Sequence, residues 1–78
     1  MGRYLNNAQH HAKKIAHFYK NAGKAGYRQA EYHWHELSGL ELSAARSKNN
    51  KSDATLIHAI KESVQHMMDE MKRRESIG

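Results

Sequence analysis

Residues 6–37 read NNAQHHAKKIAHFYKNAGKAGYRQAEYHWHEL, and the spacing of the apolar side chains in this stretch decides the fold class. Leu5, just ahead of it, starts a series that continues through Ala8, Ala12, Ile15, Tyr19 and Ala22. Steps of three and four residues place all of them on one stripe of a helix. Asn6 or Asn7 suits the cap of that helix, and Gly23 and Gly26 suit its end, which puts the first helix at about 6–22. Gly23-Lys24-Ala25-Gly26 is then a short turn. A second helical series follows in Tyr27, Ala30, Trp34, Leu37 and Ala44, extending over about 27–47.

Gly39 leaves two readings of this second stretch open. Glycine inside a helix costs about 1 kcal/mol relative to alanine, so the segment is either one helix to Ser47 or two helices broken near Ser38-Gly39. Leu42 favours the break, because on one continuous helix it projects away from the Trp34/Leu37 stripe. Beyond it, Arg46-Ser47-Lys48-Asn49-Asn50-Lys51 is a polar loop, and Ser52 or Asp53 caps a last helix over about 53–75. Ile57, Ile60, Val64, Met67 and Met71 give that helix a heptad-like seam suited to antiparallel packing.

The pattern Ile15-Ala16-x-x-Tyr19, Gly23, Tyr27-x-x-Ala30-x-x-x-Trp34-x-x-Leu37 resembles part of a single tetratricopeptide helical hairpin. It has two extra residues in the turn, and no second copy follows, whereas such repeats stack on neighbours. The resemblance implies an antiparallel helix pair and nothing about activity. With short loops, no proline and no alternating β-branched stretch, the expectation is an all-α chain. It closes as a small three- or four-helix bundle with antiparallel neighbours, in a single domain over 1–78.

The core of such a bundle is thin. Of the hydrophobic 38% of the chain, ten residues are alanine, and the large candidates are Ile15, Phe18, Tyr19, Tyr27, Trp34, Leu37, Leu40, Leu56, Ile57, Ile60, Val64, Met67, Met68 and Met71. Domains of this size bury only about 60% of the surface that the unfolded chain exposes, so marginal stability and a mobile, methionine-rich core are expected. The chain has no cysteine, which removes disulfides and thiolate metal sites. No run reaches the roughly 18 apolar residues of a membrane span, and no signal-peptide core is evident, so a cytoplasmic location is expected.

Charge carries the functional signal. The net charge of +5 is unevenly spread. Residues 1–30 hold Arg3, Lys13, Lys14, Lys20, Lys24 and Arg28 with no acid; residues 31–45 hold Glu31, Glu36 and Glu41 with no base; the 46–51 loop adds Arg46, Lys48 and Lys51. At 100° per residue, Lys13, His17, Lys20 and Lys24 lie opposite the apolar stripe of helix 1, flanked by His10, Lys14 and Asn21. An ordinary solvated helix face interleaves both signs. A face of one sign repels itself, and its tolerance points to an anionic partner, although solubility alone can also explain it.

Nucleic acid fits that face best. Lysines along a helix neutralise successive phosphates and release counterions, and Tyr4, Tyr32 and His35 are candidates for stacking on unpaired bases. Arg28, Tyr32 and His35 share the outer face of helix 2, although Tyr32 packing against another helix is an equal alternative. The expected nucleic-acid-binding set is Lys13, Lys14, His17, Lys20, Lys24, Arg28, Tyr32, Arg46, Lys48 and Lys51. A helix-turn-helix reading is disfavoured, since Glu31 and Glu36 on the second helix bring negative charge towards the groove.

Neither a metal, a cofactor nor a catalytic activity is expected. His58, Glu62 and His66 recur at i, i+4 and i+8, but His58 and His66 lie about 12 Å apart along the axis, and two ligands from one helix make a weak site. His33 and His35 project about 200° apart, and His10-His11 is no better placed. Glu31 or Glu36 beside His33 or His35 reads as a surface salt bridge rather than an acid–base pair. Histidine's reference pKa near 6.5 instead suggests tighter polyanion binding in mild acid.

The competing expectation is a helical protein-interaction module or small regulator, using the helical seams, Met67-Met68-Met71 and the Glu31/Glu36/Glu41 patch, with the protein a monomer or weak dimer.

Overall fold

The structure, a computed structural model, describes residues 3–21 and 26–77, the last of these by its backbone alone. Helix α1 spans Arg3–Asn21, α2 spans Gly26–Arg46 and α3 spans Lys51–Ile77. All three helices pack on one another in an elongated bundle of 45 × 16 × 16 Å.

Side-chain contacts fix the directions. His11 of α1 meets His33 of α2, and Glu41 late in α2 meets His58 early in α3, while Tyr19 late in α1 meets Arg74 late in α3. Thus α2 runs antiparallel to both neighbours, and α1 and α3 run parallel. The core is filled by Ala8 and Ile15 from α1, Ala30, Leu37 and Ala44 from α2, and Ile57, Val64, Met68 and Met71 from α3. All but Met68 belong to the stripes read from the sequence; on α3 the buried face takes Met68, and Ile60 and Met67 of the expected seam are only partly buried. Alanine at the α1 and α2 positions leaves room for close axial approach, and the large α3 side chains fill the remaining volume.

Some boundaries differ from the sequence expectation, each for a local reason. Asn6 and Asn7 lie inside α1 rather than at its cap, because Tyr4 and Leu5 pack on the core and extend the helix back to Arg3. At the start of α3, Asn50 takes the cap position expected of Ser52 or Asp53: its carbonyl accepts the Ala54 N–H at 3.2 Å, the first intrahelical bond. Its side-chain amide also donates to Ser47 Oγ at 2.7 Å.

Helix α2 continues unbroken through Gly39. A Cβ at Gly39 would meet nothing within 4 Å, so the glycine serves no close approach. Leu42 is 53% exposed, the outcome of continuity that its phase implies. Leu56, counted among core candidates by residue type, is 48% exposed, since it lies about 100° from the buried Ile57.

Candidate nucleic-acid interface

The outer strip of α1 is cationic along its length. Arg3, His10, Lys13, Lys14, His17 and Lys20 are all exposed, as helical phase requires of positions opposite Ala8 and Ile15. Arg28 and Tyr32 are exposed on α2, one turn apart; Arg46, Lys48 and Lys51 are exposed around the α2–α3 connection. Lys24 lies outside the described residues.

These residues do not form one cluster. Because α1 and α3 are parallel, the connection that carries Lys48, with Arg46 ending α2 before it and Lys51 starting α3 after it, sits at the end of the bundle where α1 begins, beside Arg3's end. Lys20 and Arg28 lie towards the other end, with Lys13, Lys14 and His17 between. The arrangement is a track along the rod.

Among the described residues, none of these Lys and Arg side chains has a carboxylate at ion-pair distance. On the outer face of α1, Asn21 Nδ2 donates to the His17 carbonyl at 3.1 Å.

The seam between α1 and α2 holds a cluster of rings. The Nδ1 atoms of His11 and His33 are 2.8 Å apart, one donating its hydrogen to the other. The His33 ring also stacks on Phe18, with centroids 6.0 Å apart and an interplanar angle of 23°, and meets Tyr32 edge-on at 5.1 Å. His10 packs against His11 at 5.5 Å and His17 against Phe18 at 5.5 Å. Tyr32 is 59% exposed, so it faces solvent rather than packing into another helix's core.

Burial lowers the pKa of both seam histidines. For His11 the His10 charge acts in the same direction, opposed by Glu36. For His33 the neighbouring His11, His10 and Lys14 add to burial, again opposed by Glu36. The hydrogen bond accommodates a first proton, because the donor ring can be protonated at Nε2. A second proton places hydrogens on both Nδ1 atoms and breaks the contact.

Two other stacking candidates fare differently. Tyr4 is half-buried against the core, which leaves it unsuited to an incoming base. His35 is exposed but turns towards Trp34, their ring centroids 5.9 Å apart, and lines a cleft of ≈ 190 Å³ between α2 and α3. It therefore diverges from Tyr32, which leans to the α1 side.

On α3 several cations have carboxylate partners. Glu41 accepts from Lys61 at 3.1 Å and contacts His58 at 3.1 Å. Burial opposes ionisation of Glu41, but hydrogen bonds and charge from Lys61 and then His58 outweigh it and hold the carboxyl below its usual range. Glu70 pairs with Arg73 and Arg74, and Arg74 lies over the Tyr19 ring while donating to its carbonyl at 3.1 Å. The expected Glu–His bridges on α2 do not form: Glu31 instead accepts from the Tyr27 hydroxyl at 3.3 Å, and Glu36 has no ion-pair partner among the described residues.

No group of three or more potential metal ligands gathers among the described residues. His58 contacts Glu41 and Glu62, whereas His66 turns to Tyr19. The His11/His33 pair supplies two nitrogens, too few for a stable site. No helix among the described residues is long and apolar enough to cross a membrane.

Sequence reasoning missed the His11–His33 contact. His11 and Phe18 are seven residues apart on one flank of the α1 stripe, which marks that flank as aromatic, but their partner on α2 depends on the register between helices. Comparison with known proteins adds nothing to this geometry: no family, curated protein or solved structure matches the chain.

Proposed function

We propose that this protein is a small nucleic-acid-binding accessory module without catalytic activity. It holds the phosphate backbone of single-stranded or branched DNA, or of RNA, along the α1 track and the 46–51 connection. The observation that carries this reading is that, among the described residues, no Lys or Arg of α1 has a carboxylate at ion-pair distance, whereas Lys61, Arg73 and Arg74 of α3 each do. Keeping like charges together without carboxylates raises the energy of the free protein, and an anionic backbone relieves it. Lys13, Lys14, His17, Lys20, Lys24, Arg28, Arg46, Lys48 and Lys51 contact phosphate in this reading. The contacts are to backbone, so binding follows nucleic-acid structure rather than sequence.

A fluorescence-anisotropy titration with labelled single-stranded, duplex and forked DNA tests it, at low and at moderate salt. Binding that weakens steeply with salt is expected, since each phosphate contact released by salt lowers the observed affinity. Absence of binding to all three probes and to RNA at low salt would overturn the proposal.

A second reading, a protein-interaction module, is favoured by the exposed Leu42 and Leu56 and by the buried Trp34 Nε1, which lacks a hydrogen-bond partner beside the α2/α3 cleft. Met67, Met68 and Met71 do not serve it: Met68 and Met71 are buried and Met67 packs against them. An apolar interface would barely respond to salt, which separates the readings.

A further inference from the structure

We propose that Tyr32, at the α1/α2 seam, is a stacking platform for one unpaired base of a single-stranded nucleic acid. The inference rests on the phosphate-binding reading above and narrows its ligand to strands with accessible bases.

Tyr32 stands apart from the other aromatics. Tyr4, Phe18, Tyr19, Tyr27 and Trp34 all pack on the core, whereas Tyr32 is 59% exposed. Its ring is nevertheless in contact at one edge. His33 meets it at 5.1 Å, and His33 is itself held from two sides, by the hydrogen bond to His11 at 2.8 Å and by Phe18 at 6.0 Å. That edge contact leaves the faces of the ring open to a base.

The surrounding charge suits a strand. Arg28 is exposed one turn before Tyr32, and Lys14 lies near enough to His33 for its charge to act on that imidazole. Both are cations to which the phosphates of a strand stacked on Tyr32 would be drawn. Glu36, one turn after Tyr32, is the opposing charge on this strip. In a duplex the base faces are already stacked on each other, so only an unpaired base offers Tyr32 a free π-face.

The test compares three labelled probes of equal length at one salt concentration: an oligothymidylate, an abasic strand with the same phosphates, and a duplex. Wild type, Tyr32→Ala and Tyr32→Phe are titrated with each, and far-UV circular dichroism verifies that the variants stay helical. Stacking contributes at least about fivefold in affinity per base. The oligothymidylate should therefore bind about fivefold or more tighter than the abasic strand. Tyr32→Ala should erase that advantage and leave abasic binding unchanged, while Tyr32→Phe should keep it. Equal binding of the base-bearing and abasic strands, or an advantage that survives Tyr32→Ala, overturns the stacking site and leaves the phosphate track standing. Failure of every probe to bind overturns both.

Discussion

On α3, Lys61, His58, Arg73 and Arg74 each contact a carboxylate, whereas on the outer face of α1 the lysines stand alone, and histidines fill the seam between α1 and α2. Both regions belong to one small bundle. Exposed ion pairs are worth about 0–1 kcal/mol each, so these pairs do little for stability. Their effect is to neutralise. The paired cations of α3 have their charge offset, and the α1 cations keep theirs for an incoming ligand. The lesson is that the distribution of charge along the chain matters less than which charges the fold brings together.

The largest effect should come from breaking the core that both regions share. Met68→Asp places an unpaired carboxylate at a position only 6% exposed, a change expected to destabilise by about 3 kcal/mol or more. Chemical denaturation would show it as a large drop in midpoint or as a chain unfolded in buffer. If stability barely changed, the methionines would be surface after all, and the protein-interaction reading would gain the most.

Next in size is charge reversal among the unpaired cations. Lys13→Glu combined with Lys20→Glu should lower polyanion affinity by about a hundredfold at low salt, through lost phosphate contacts and new repulsion. Because both lysines are exposed, the melting curve should hardly move. Reversal at Arg73, already paired with Glu70, should cost far less affinity per charge, and an equal loss per charge would erase the contrast between paired and unpaired cations.

Two smaller effects separate stability from binding. Gly39→Ala should stabilise the protein by about 1 kcal/mol, since the added methyl meets open space in a helix interior. Thermal melting should show the gain with polyanion affinity unchanged. Glu36→Gln should act in the opposite domain, raising affinity about two- to fivefold by removing a negative charge from the Tyr32 strip with little change in melting.

Acid should push the two properties apart. His11 and His33 have folded pKa values below the reference value, so the unfolded chain binds more protons as pH falls through about 6.5, and stability falls with it. His33→Gln should flatten this slope in melts recorded between about pH 7.5 and pH 5.5. Polyanion affinity should rise over the same range as imidazolium charge builds on the α1 face. A melting temperature that climbs on acidification would contradict the burial of the histidine pair.

The fold was largely legible from periodicity, because a 3.6-residue repeat fixes which side chains face inward. Ile15, Leu37, Ile57 and Met71 follow directly from it. Phase also rejects Leu56, which residue type alone had suggested for the core. Helix ends were less legible. Asn6 and Asn7 satisfy capping preference locally, yet the apolar Tyr4 and Leu5 outweigh it through contacts made elsewhere in the fold. The exposed lysines could be placed from phase alone, whereas the ring cluster beside Tyr32 could not. It joins His11 and Phe18 of one helix to His33 of another, and the register between helices is a property of packing that no single helix encodes.

The central claim is that the unpaired α1 cations bind phosphate. Its most direct measurement is the salt dependence of single-strand affinity for the wild type and for the Lys13→Glu/Lys20→Glu variant. The account expects log K to fall linearly with log salt, with a slope of about −2 or steeper for the wild type, since single strands give about −0.7 per contact. The double variant should show a shallower slope together with weaker binding. A wild-type slope near zero, or an unchanged slope in the variant, would contradict the claim.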